Sequence, residues 1–171
     1  MTLVSRLDSF IRRLEAQRAC LEMAAELVGG LDGDLLELGL GNGRTYDHLR
    51  NLFPDRKIYV CERTIAAHPD CIPPDGLLLL GDMRATLPEV RARLADRVAL
   101  AHLDAGNGDT PASKALAQCI IPLIVPLLRL DGVLVSEPAV IADQLSSLPL
   151  PLGIEHGRYN LYRRIRRRPS P

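Results

Sequence analysis

Aromatic residues, lysine and cysteine are scarce in this 171-residue sequence. Tryptophan is absent, phenylalanine occurs twice, and only two of the 21 basic residues are lysines. The formal net charge is zero, so the charge of the whole chain does not predict a polyanionic partner. The four cysteines form no CxxC pair and have no histidine at zinc spacing, which argues against a structural zinc site.

Long apolar runs are also missing. The longest, Cys119 to Leu128, is about half the length of a membrane span and contains Pro122 and Pro126. The N-terminus carries charges every few residues, unlike the apolar segment of a signal peptide. We therefore expect a reduced, cytoplasmic protein with no membrane partner.

Arginine is concentrated at the C-terminus. Six arginines and no acid lie among the last fourteen residues, so this stretch carries +6 and the remainder −6. We expect a frayed, solvated terminus, although such a tail could also contact RNA, an anionic substrate or an acidic protein surface. The six are Arg158, Arg163, Arg164, Arg166, Arg167 and Arg168.

The spacing of apolar residues alternates between helical and strand periods. Helices are predicted over 3–28, 45–53, 86–96, 112–129 and 141–148, and strands over 34–38, 57–62, 77–80, 98–103 and 133–136, with two closing strands inside 152–165. Gly29 and Gly30 should end the first helix, and Thr45 should cap the second. This alternation predicts a parallel sheet covered on both faces, with ligands at the carboxyl ends of its strands.

The most informative segment, EL-G-L-G-N-G-R-T over residues 37–45, follows the first strand and precedes a helix. Its three alternating glycines allow a ligand to approach the backbone near the free N–H groups of the helix start. The dinucleotide fingerprint G-x-G-x-x-G would place its third glycine where Arg44 stands, which makes a nicotinamide-dependent oxidoreductase a poor fit.

The pattern E-x-G-x-G-x-G after a first strand resembles motif I of the class I S-adenosylmethionine-dependent methyltransferases. The resemblance implies an α/β fold: a doubly wound, mostly parallel seven-stranded sheet with an antiparallel C-terminal strand and helices on both faces. It also implies one methyltransferase domain over 1–171, with an N-terminal helical segment at 1–30 and the α/β core at 34–165. The methyl donor would be S-adenosyl-L-methionine, and S-adenosyl-L-homocysteine the product.

Acids follow the later strands where this family places its ligand contacts. By resemblance, Glu62 binds the ribose hydroxyls, Asp82 and Met83 contact the adenine, and Asp104 lies at the mouth of the active site. Arg44 or Thr45 could meet the donor's carboxylate, and Tyr46 could cover the donor. The predicted donor site comprises Glu37, Gly39, Leu40, Gly41, Asn42, Gly43, Arg44, Thr45, Tyr46, Glu62, Arg63, Gly81, Asp82, Met83, Asp104 and Ala105.

Asp104 is the candidate catalytic residue, because it could orient the acceptor or the donor's amine, or take a proton. It could equally cap the next helix or bind the loop backbone. Asn107 and Asp109 are further candidates for the pocket. With Glu137 these oxygens could hold a divalent cation, but a second metal signature is not clear and no metal is expected.

Other polar residues have simpler interpretations. His102, inside a strand, is predicted to be a satisfied core histidine. Glu15, Arg18 and Glu22 share a helix face that we expect to be solvated. The Asn/Asp-Pro-Pro-aromatic signature of amino-methylating enzymes is absent, which argues against an adenine or cytosine amino group of DNA as the acceptor.

The leading hypothesis is therefore an enzyme that methylates a small molecule. The alternatives are an inactive donor-binding module and an RNA or protein methyltransferase that docks through its arginine tail. Because the chain has almost no inserted substrate-recognition segment, the acceptor pocket must use the N-terminal helix, short loops or a neighbouring subunit. We therefore expect a homo-oligomer.

Overall fold

Seven strands form one sheet in the order β3-β2-β1-β4-β5-β7-β6. The structure, a computed structural model, describes residues 5–106 and 110–166. The strands are β1 (Asp34–Leu38), β2 (Ile58–Glu62), β3 (Leu78–Leu80), β4 (Val98–Leu103), β5 (Leu128–Ser136), β6 (Leu145–Ser147) and β7 (Asn160–Arg164). The helices are α1 (Arg6–Val28), α2 (Arg44–Leu52), α3 (Met83–Leu94) and α4 (Thr110–Ile124), with a 3-10 turn at Pro69–Cys71.

The first five strands run parallel, whereas β7 pairs antiparallel with both β5 and β6. This mixed sheet confirms the predicted Rossmann-like methyltransferase fold. The strand order reverses between β1 and β4, which are neighbours although β2 and β3 separate them in sequence. In open α/β sheets the ligand crevice forms at this switch point.

Alternating side chains of the central strands divide the core into two layers. Leu36 and Leu38 of β1 face the layer that α3 and α4 cover, while Leu35 faces the layer that α1 and α2 cover. All three leucines are completely buried, and each contributes roughly 1.5–3 kcal/mol by leaving water. Because β1 to β5 are parallel, the loops that follow them lie at the same edge of the sheet.

Helix α1 begins with a capping box, in which Ser5 and Asp8 bond each other's backbone N–H groups. It ends at Gly29, as predicted. Helix α2 is different, because its N-cap is Gly43 in the left-handed conformation. The prediction that Thr45 caps α2 is wrong, since its hydroxyl donates to the Glu37 carboxylate instead.

The predictions for the C-terminal third need the most correction. The predicted helix at 141–148 is wrong, because this segment contains the edge strand β6. The two strands expected inside 152–165 reduce to β7, whose second partner is β6. The predicted helix at 112–129 ends at Ile124, and β5 already begins at Leu128. Pairing with β7 decides the conformation of β6, and local periodicity does not report such pairing.

The expectation of a frayed arginine tail is wrong for the arginines that lie in the sheet or contact α1. Arg163 and Arg164 lie in β7, and Arg164 donates through Nη1 to the carbonyls of Val125 and, at 2.6 Å, Leu128. Arg158 donates to the Ser9 hydroxyl at 3.2 Å. Arg166 is exposed, and Arg167 and Arg168 lie outside the described residues.

Across residues 5–106 and 110–166, no helix has both the length and the apolar character that a membrane crossing requires.

Candidate active site

A cavity of about 730 Å³ opens at the carboxyl ends of β1 to β4. Nine of the predicted donor residues line it: Gly39, Gly41, Glu62, Arg63, Gly81, Asp82, Met83, Asp104 and Ala105. Helix α4 forms a wall that the sequence prediction missed, made by Ala112, Ser113, Ala115, Leu116 and Cys119. These mostly small residues recur at helical spacing, so the sequence could have indicated this wall. Asn107 and Asp109 lie outside the described residues.

The glycine loop needs its glycines because the surrounding backbone comes very close. Gly39 has φ +99°, and a Cβ atom there would lie 2.4 Å from the carbonyl oxygen of Asp104. Gly43 has φ +87°, and its Cβ would lie 2.4 Å from that of Cys71. L-residues disfavour positive φ, so these positions combine backbone strain with a steric clash for any other residue. The end of β1 can therefore pack directly against the end of β4.

Glu62, at the end of β2, is held by four backbone N–H groups. Oε2 accepts from Leu40 at 2.7 Å and Gly41 at 3.0 Å, while Oε1 accepts from Arg63 at 2.6 Å and Thr64 at 3.3 Å. Partial burial disfavours the charge, but these donors outweigh it, so the pKa of Glu62 is lowered. The glycine loop and the end of β2 thus share one ionised carboxylate at the cavity wall.

Asp82 caps α3 and lies at the cavity wall beyond β3. Its Oδ1 accepts from the backbone N–H of Arg84 at 2.9 Å, and its carboxylate pairs with the Arg84 guanidinium at 2.6 Å. These hydrogen bonds, with that arginine's charge, lower the pKa of Asp82. Met83, the first residue of the helix, is nearly buried beside it. A carboxylate and a thioether therefore meet at this end of the cavity.

Asp104 is the centre of a polar cluster at the end of β4. Arg13 of α1 donates through Nη2 to both its carboxylate oxygens, at 2.9 and 3.0 Å. Gln17 donates to Oδ2 at 2.7 Å, and the buried Tyr159 hydroxyl donates to the same oxygen at 3.1 Å. Burial and the neighbouring Asp104 charge raise the pKa of Tyr159, which keeps it a donor. The N-terminal helix thus reaches the candidate site directly.

Glu37 does not line the cavity, contrary to the expectation that it contacts the donor. It is completely buried beneath the glycine loop, where it accepts from the Thr45 hydroxyl and lies 2.9 Å from Nδ1 of His102. His102 is only half satisfied, because its buried Nε2 has no hydrogen-bond partner among the described residues. The predicted core position of His102 is confirmed by its complete burial, but the prediction that it is satisfied holds for Nδ1 alone.

The remaining predicted residues lie behind the loop. The backbone N–H of Leu40 donates to the Glu62 carboxylate. The Asn42 amide oxygen accepts from the N–H of Arg44 at 3.2 Å. Tyr46 is buried in the core between α1 and α2, so it does not cover the cavity. Arg44 and Thr45 line a second cavity of about 340 Å³, whose other walls come from α1 and His48.

A seven-stranded sheet of this order, with a glycine-rich turn after β1 and acids at the ends of β2, β3 and β4, defines the class I methyltransferases. The chain belongs to a family of S-adenosyl-L-methionine methyltransferases, whose sequence pattern matches residues 4–164. This confirms the resemblance, and the protein is an S-adenosylmethionine-dependent methyltransferase.

The solved structures agree. The chain is 48% identical to the S-adenosyl-L-methionine methyl transferase of Silicibacter pomeroyi DSS-3, with a TM-score of 0.89 over 94% of this chain and 98% of that one. The antibiotic-resistance methyltransferase Kmr is 16% identical, with a TM-score of 0.53 over 86% and 92% of the two chains, and shares the fold. No curated protein sequence matches the chain.

Proposed function

We propose that this enzyme transfers the methyl group of S-adenosylmethionine to a small molecule, and that the donor lies in the 730 Å³ cavity. The supporting observation is a row of residues at the ends of adjacent strands that can contact the donor. Asp82, Glu62, Gly39 and Asp104 follow β3, β2, β1 and β4 in that spatial order. Neighbouring strands are about 4.8 Å apart, so the row spans about 14 Å, which suits an extended nucleoside with an amino-acid tail.

Each group in the row suits one part of the donor. The Asp82 carboxylate can accept from the exocyclic amine of adenine, and Met83 offers a soft apolar contact to the ring. The Glu62 carboxylate can accept from both ribose hydroxyls. The longest of its present bonds, 3.3 Å from the N–H of Thr64, is the one that a hydroxyl would replace most easily. The amino-acid end then falls beside Gly39 and Asp104.

The donor supplies an already activated methyl group, so the residues mainly need to align the acceptor and exclude water. Asp104 suits orientation better than proton abstraction, because Arg13, Gln17 and Tyr159 already donate to its carboxylate. Proton removal from an acceptor would neutralise this carboxylate and so weaken these charge-assisted bonds. Asp104 therefore acts by position and charge.

A small acceptor fits the volume and the walls. A cavity of 730 Å³ lies within the range of roughly 300–1,000 Å³ that small-molecule sites occupy. It continues past the Asp104 end to Ser113 and Leu116 of α4. The acceptor would enter from this side, between α4 and the polar cluster at the end of β4.

Calorimetric titration of S-adenosylhomocysteine into the wild type and Glu62→Gln tests the donor site. A hydrogen bond to a charged group contributes about 1.5–3 kcal/mol, so we expect at least about tenfold weaker binding in the variant. The exposed Glu89→Gln on α3 is the matched control and should bind like the wild type. Equal affinities for all three proteins would refute the site.

Turnover with a panel of small molecules, RNA and protein then tests the acceptor class, with mass spectrometry of the methylated product as readout. We expect methylation of a small molecule. Methylation confined to RNA or protein would overturn this part of the proposal and leave the donor site intact.

A further inference from the structure

We propose that the second cavity, between α1 and α2, is a binding site for a small carboxylic acid with an apolar body. The site is separate from the donor cavity, because no described residue lines both. Its volume of about 340 Å³ falls at the lower end of the range that small-molecule sites occupy, roughly 300–1,000 Å³. The inference therefore does not depend on where the methyl donor binds.

The apolar part of the cavity comes from one face of α1. Ile11, Leu14 and Leu21 recur there at helical spacing, and all three line the cavity. Leu21 is buried in the core, whereas Ile11 is 43% exposed. The hydrocarbon part of a ligand can cover this exposed apolar surface, which is favourable because both surfaces then leave water.

A cation and a helix N-terminus lie on the α2 side of the cavity. Arg44 and Thr45 are the first two residues of α2, and both line the cavity. The N-cap residue Gly43 offers no side-chain oxygen to the first turn, which carries the positive end of the helix dipole. The side chain of Arg44 is exposed and has no acidic partner among the described residues. An unpaired guanidinium beside a helix N-terminus favours a negatively charged group.

The facing side of α1 contributes one charge of each sign. Arg18 lies 4.0 Å from Glu22 in an exposed pair, and Glu15 is exposed with no cationic partner in the described part of the chain. The lining therefore holds two arginines against one glutamate, which gives a formal charge of +1 with His48 neutral. Glu15 opposes a bound anion, so its removal should have the opposite effect to the removal of Arg44.

His48 adds a polar group that lacks a partner. It lines the cavity, and its Nε2 is buried without a hydrogen bond to any described residue. The Glu22 carboxylate lies 3.8 Å from this nitrogen, which is too far for a hydrogen bond. Because a buried nitrogen without a partner is costly, rotation of the ring toward a ligand oxygen would be stabilising.

The same residues do not serve the donor. Arg44 and Thr45, which the sequence places near the donor's carboxylate, do not line the donor cavity. The Thr45 hydroxyl donates to the buried Glu37 carboxylate. Arg44 is therefore the cation that a ligand between α1 and α2 would meet.

Octanoate is a suitable probe, because it joins one carboxylate to an apolar chain. NMR of the full chain locates the probe through nuclear Overhauser contacts, with and without saturating S-adenosylhomocysteine. We expect contacts from the octanoate chain to the methyl groups of Ile11 and Leu14 in both samples. Octanol and octylamine should bind roughly two- to fivefold more weakly, because they cannot form an ion pair with an exposed arginine. Acetate, which has no apolar chain, should show no contact.

Two variants with opposite expected effects test the charges. Arg44→Gln should weaken octanoate binding roughly two- to fivefold and leave octanol binding unchanged. Glu15→Gln should strengthen octanoate binding by a similar factor. Arg12→Gln is the matched control, since Arg12 is exposed on α1, does not line the cavity and lies 4.0 Å from Glu155. Chemical-shift titrations give all of these affinities.

Three results would overturn the inference. The first is contact of octanoate only with other surfaces, such as the exposed Leu7 and Phe10. The second is equal binding of octanoate and octylamine, which would show that charge does not select the ligand. The third is displacement of octanoate by S-adenosylhomocysteine, which would place the probe in the donor cavity. Failure of the wild type to bind S-adenosylhomocysteine would concern the proposed donor site alone.

Discussion

Glu37 and His102 face each other across β1 and β4, and both are completely buried. With the Thr45 hydroxyl they connect the end of each central strand to the first turn of α2. Glu37 belongs to the same motif as the three glycines, yet its partner is a strand residue rather than the cavity. Its role in the structure is to hold the glycine loop from beneath.

The pH dependence of stability should reveal this pair. Burial disfavours the charged imidazole, but the nearby Glu37 carboxylate outweighs it, so the pKa of His102 is raised above its ordinary value of 6.5. The folded state then binds the proton more tightly, so the stabilisation is fully present below pH 6.5 and is lost as pH rises through the folded-state pKa. We therefore expect a melting temperature that falls as the pH rises above 6.5.

The double variant Glu37→Gln/His102→Gln should lose this part of the pH dependence in thermal melts. His102→Ala alone should cost about 3–5 kcal/mol in urea unfolding, because it leaves a buried carboxylate without its ion-pair partner. The exposed His156→Ala is the control and should melt like the wild type. If the pH profiles of wild type and double variant are parallel, His102 does not titrate as described.

At the scale of elements, the glycine loop and α1 meet above the switch point of the sheet. The loop brings β1 against β4 at Gly39, and α1 supplies Arg13 and Gln17, one helical turn apart, to Asp104. Because both elements contact the end of β4, a change in the loop should affect stability and donor binding together.

Gly39→Ala tests this coupling. The alanine would have to adopt a positive φ, and its methyl group would press on the Asp104 carbonyl. We therefore expect the free energy of unfolding in urea to fall by about 2–4 kcal/mol. S-adenosylhomocysteine should also bind more weakly. Gly30→Ala, in the connection from α1 to β1, has no atom within 4 Å of its Cβ and should change neither property. A Gly39→Ala protein as stable as the Gly30→Ala protein would show that the close approach is relieved at little cost.

At the scale of the whole molecule, the C-terminal arginines divide into two groups. Those of β7 pair with β5 and β6, through Val133 with Arg163 and Leu145 with Arg164, for example. Removal of residues 163–171 would take away the partners of Val133 in β5 and of Leu145 and Ser146 in β6, so we expect that chain to melt at a lower temperature than the wild type.

Removal of residues 167–171 alone should leave the melting temperature and the affinity for S-adenosylhomocysteine unchanged. Arg166, the last described residue, is exposed and lies beyond the end of β7. The same truncated protein tests the alternative of RNA docking. A steeply salt-dependent RNA affinity that disappears with these residues would favour that alternative over a small acceptor.

Three whole-molecule expectations stay predictions: the single-domain organisation, the homo-oligomer and the cytoplasmic location. Sedimentation velocity tests the second directly. Leu7 and Phe10, in the first half of α1, are exposed, which would suit burial against another copy. A monomer at every working concentration would remove the homo-oligomer.

Local patterns in the sequence determined the alternation of strands and helices, the glycine loop and the acids at the strand ends. Periodicity and turn chemistry act over a few residues, so they can be read without the fold. The solvated face of α1 was also predictable, and Arg18 and Glu22 are exposed at a distance of 4.0 Å. The same local rules failed for β6, whose conformation depends on a distant partner.

Only the tertiary structure decided which polar groups meet. Arg13 and Asp104 are 91 positions apart, and Glu37 and His102 are 65 apart. Nothing in the spacing of such residues indicates that they touch, because strand order and helix docking set these contacts through the packing of the two core layers. The sequence therefore determined the class of enzyme and the row of glycine and acidic residues at the strand ends. The fold decided that α1 closes the far end of that row and that Glu37 supports the loop from beneath.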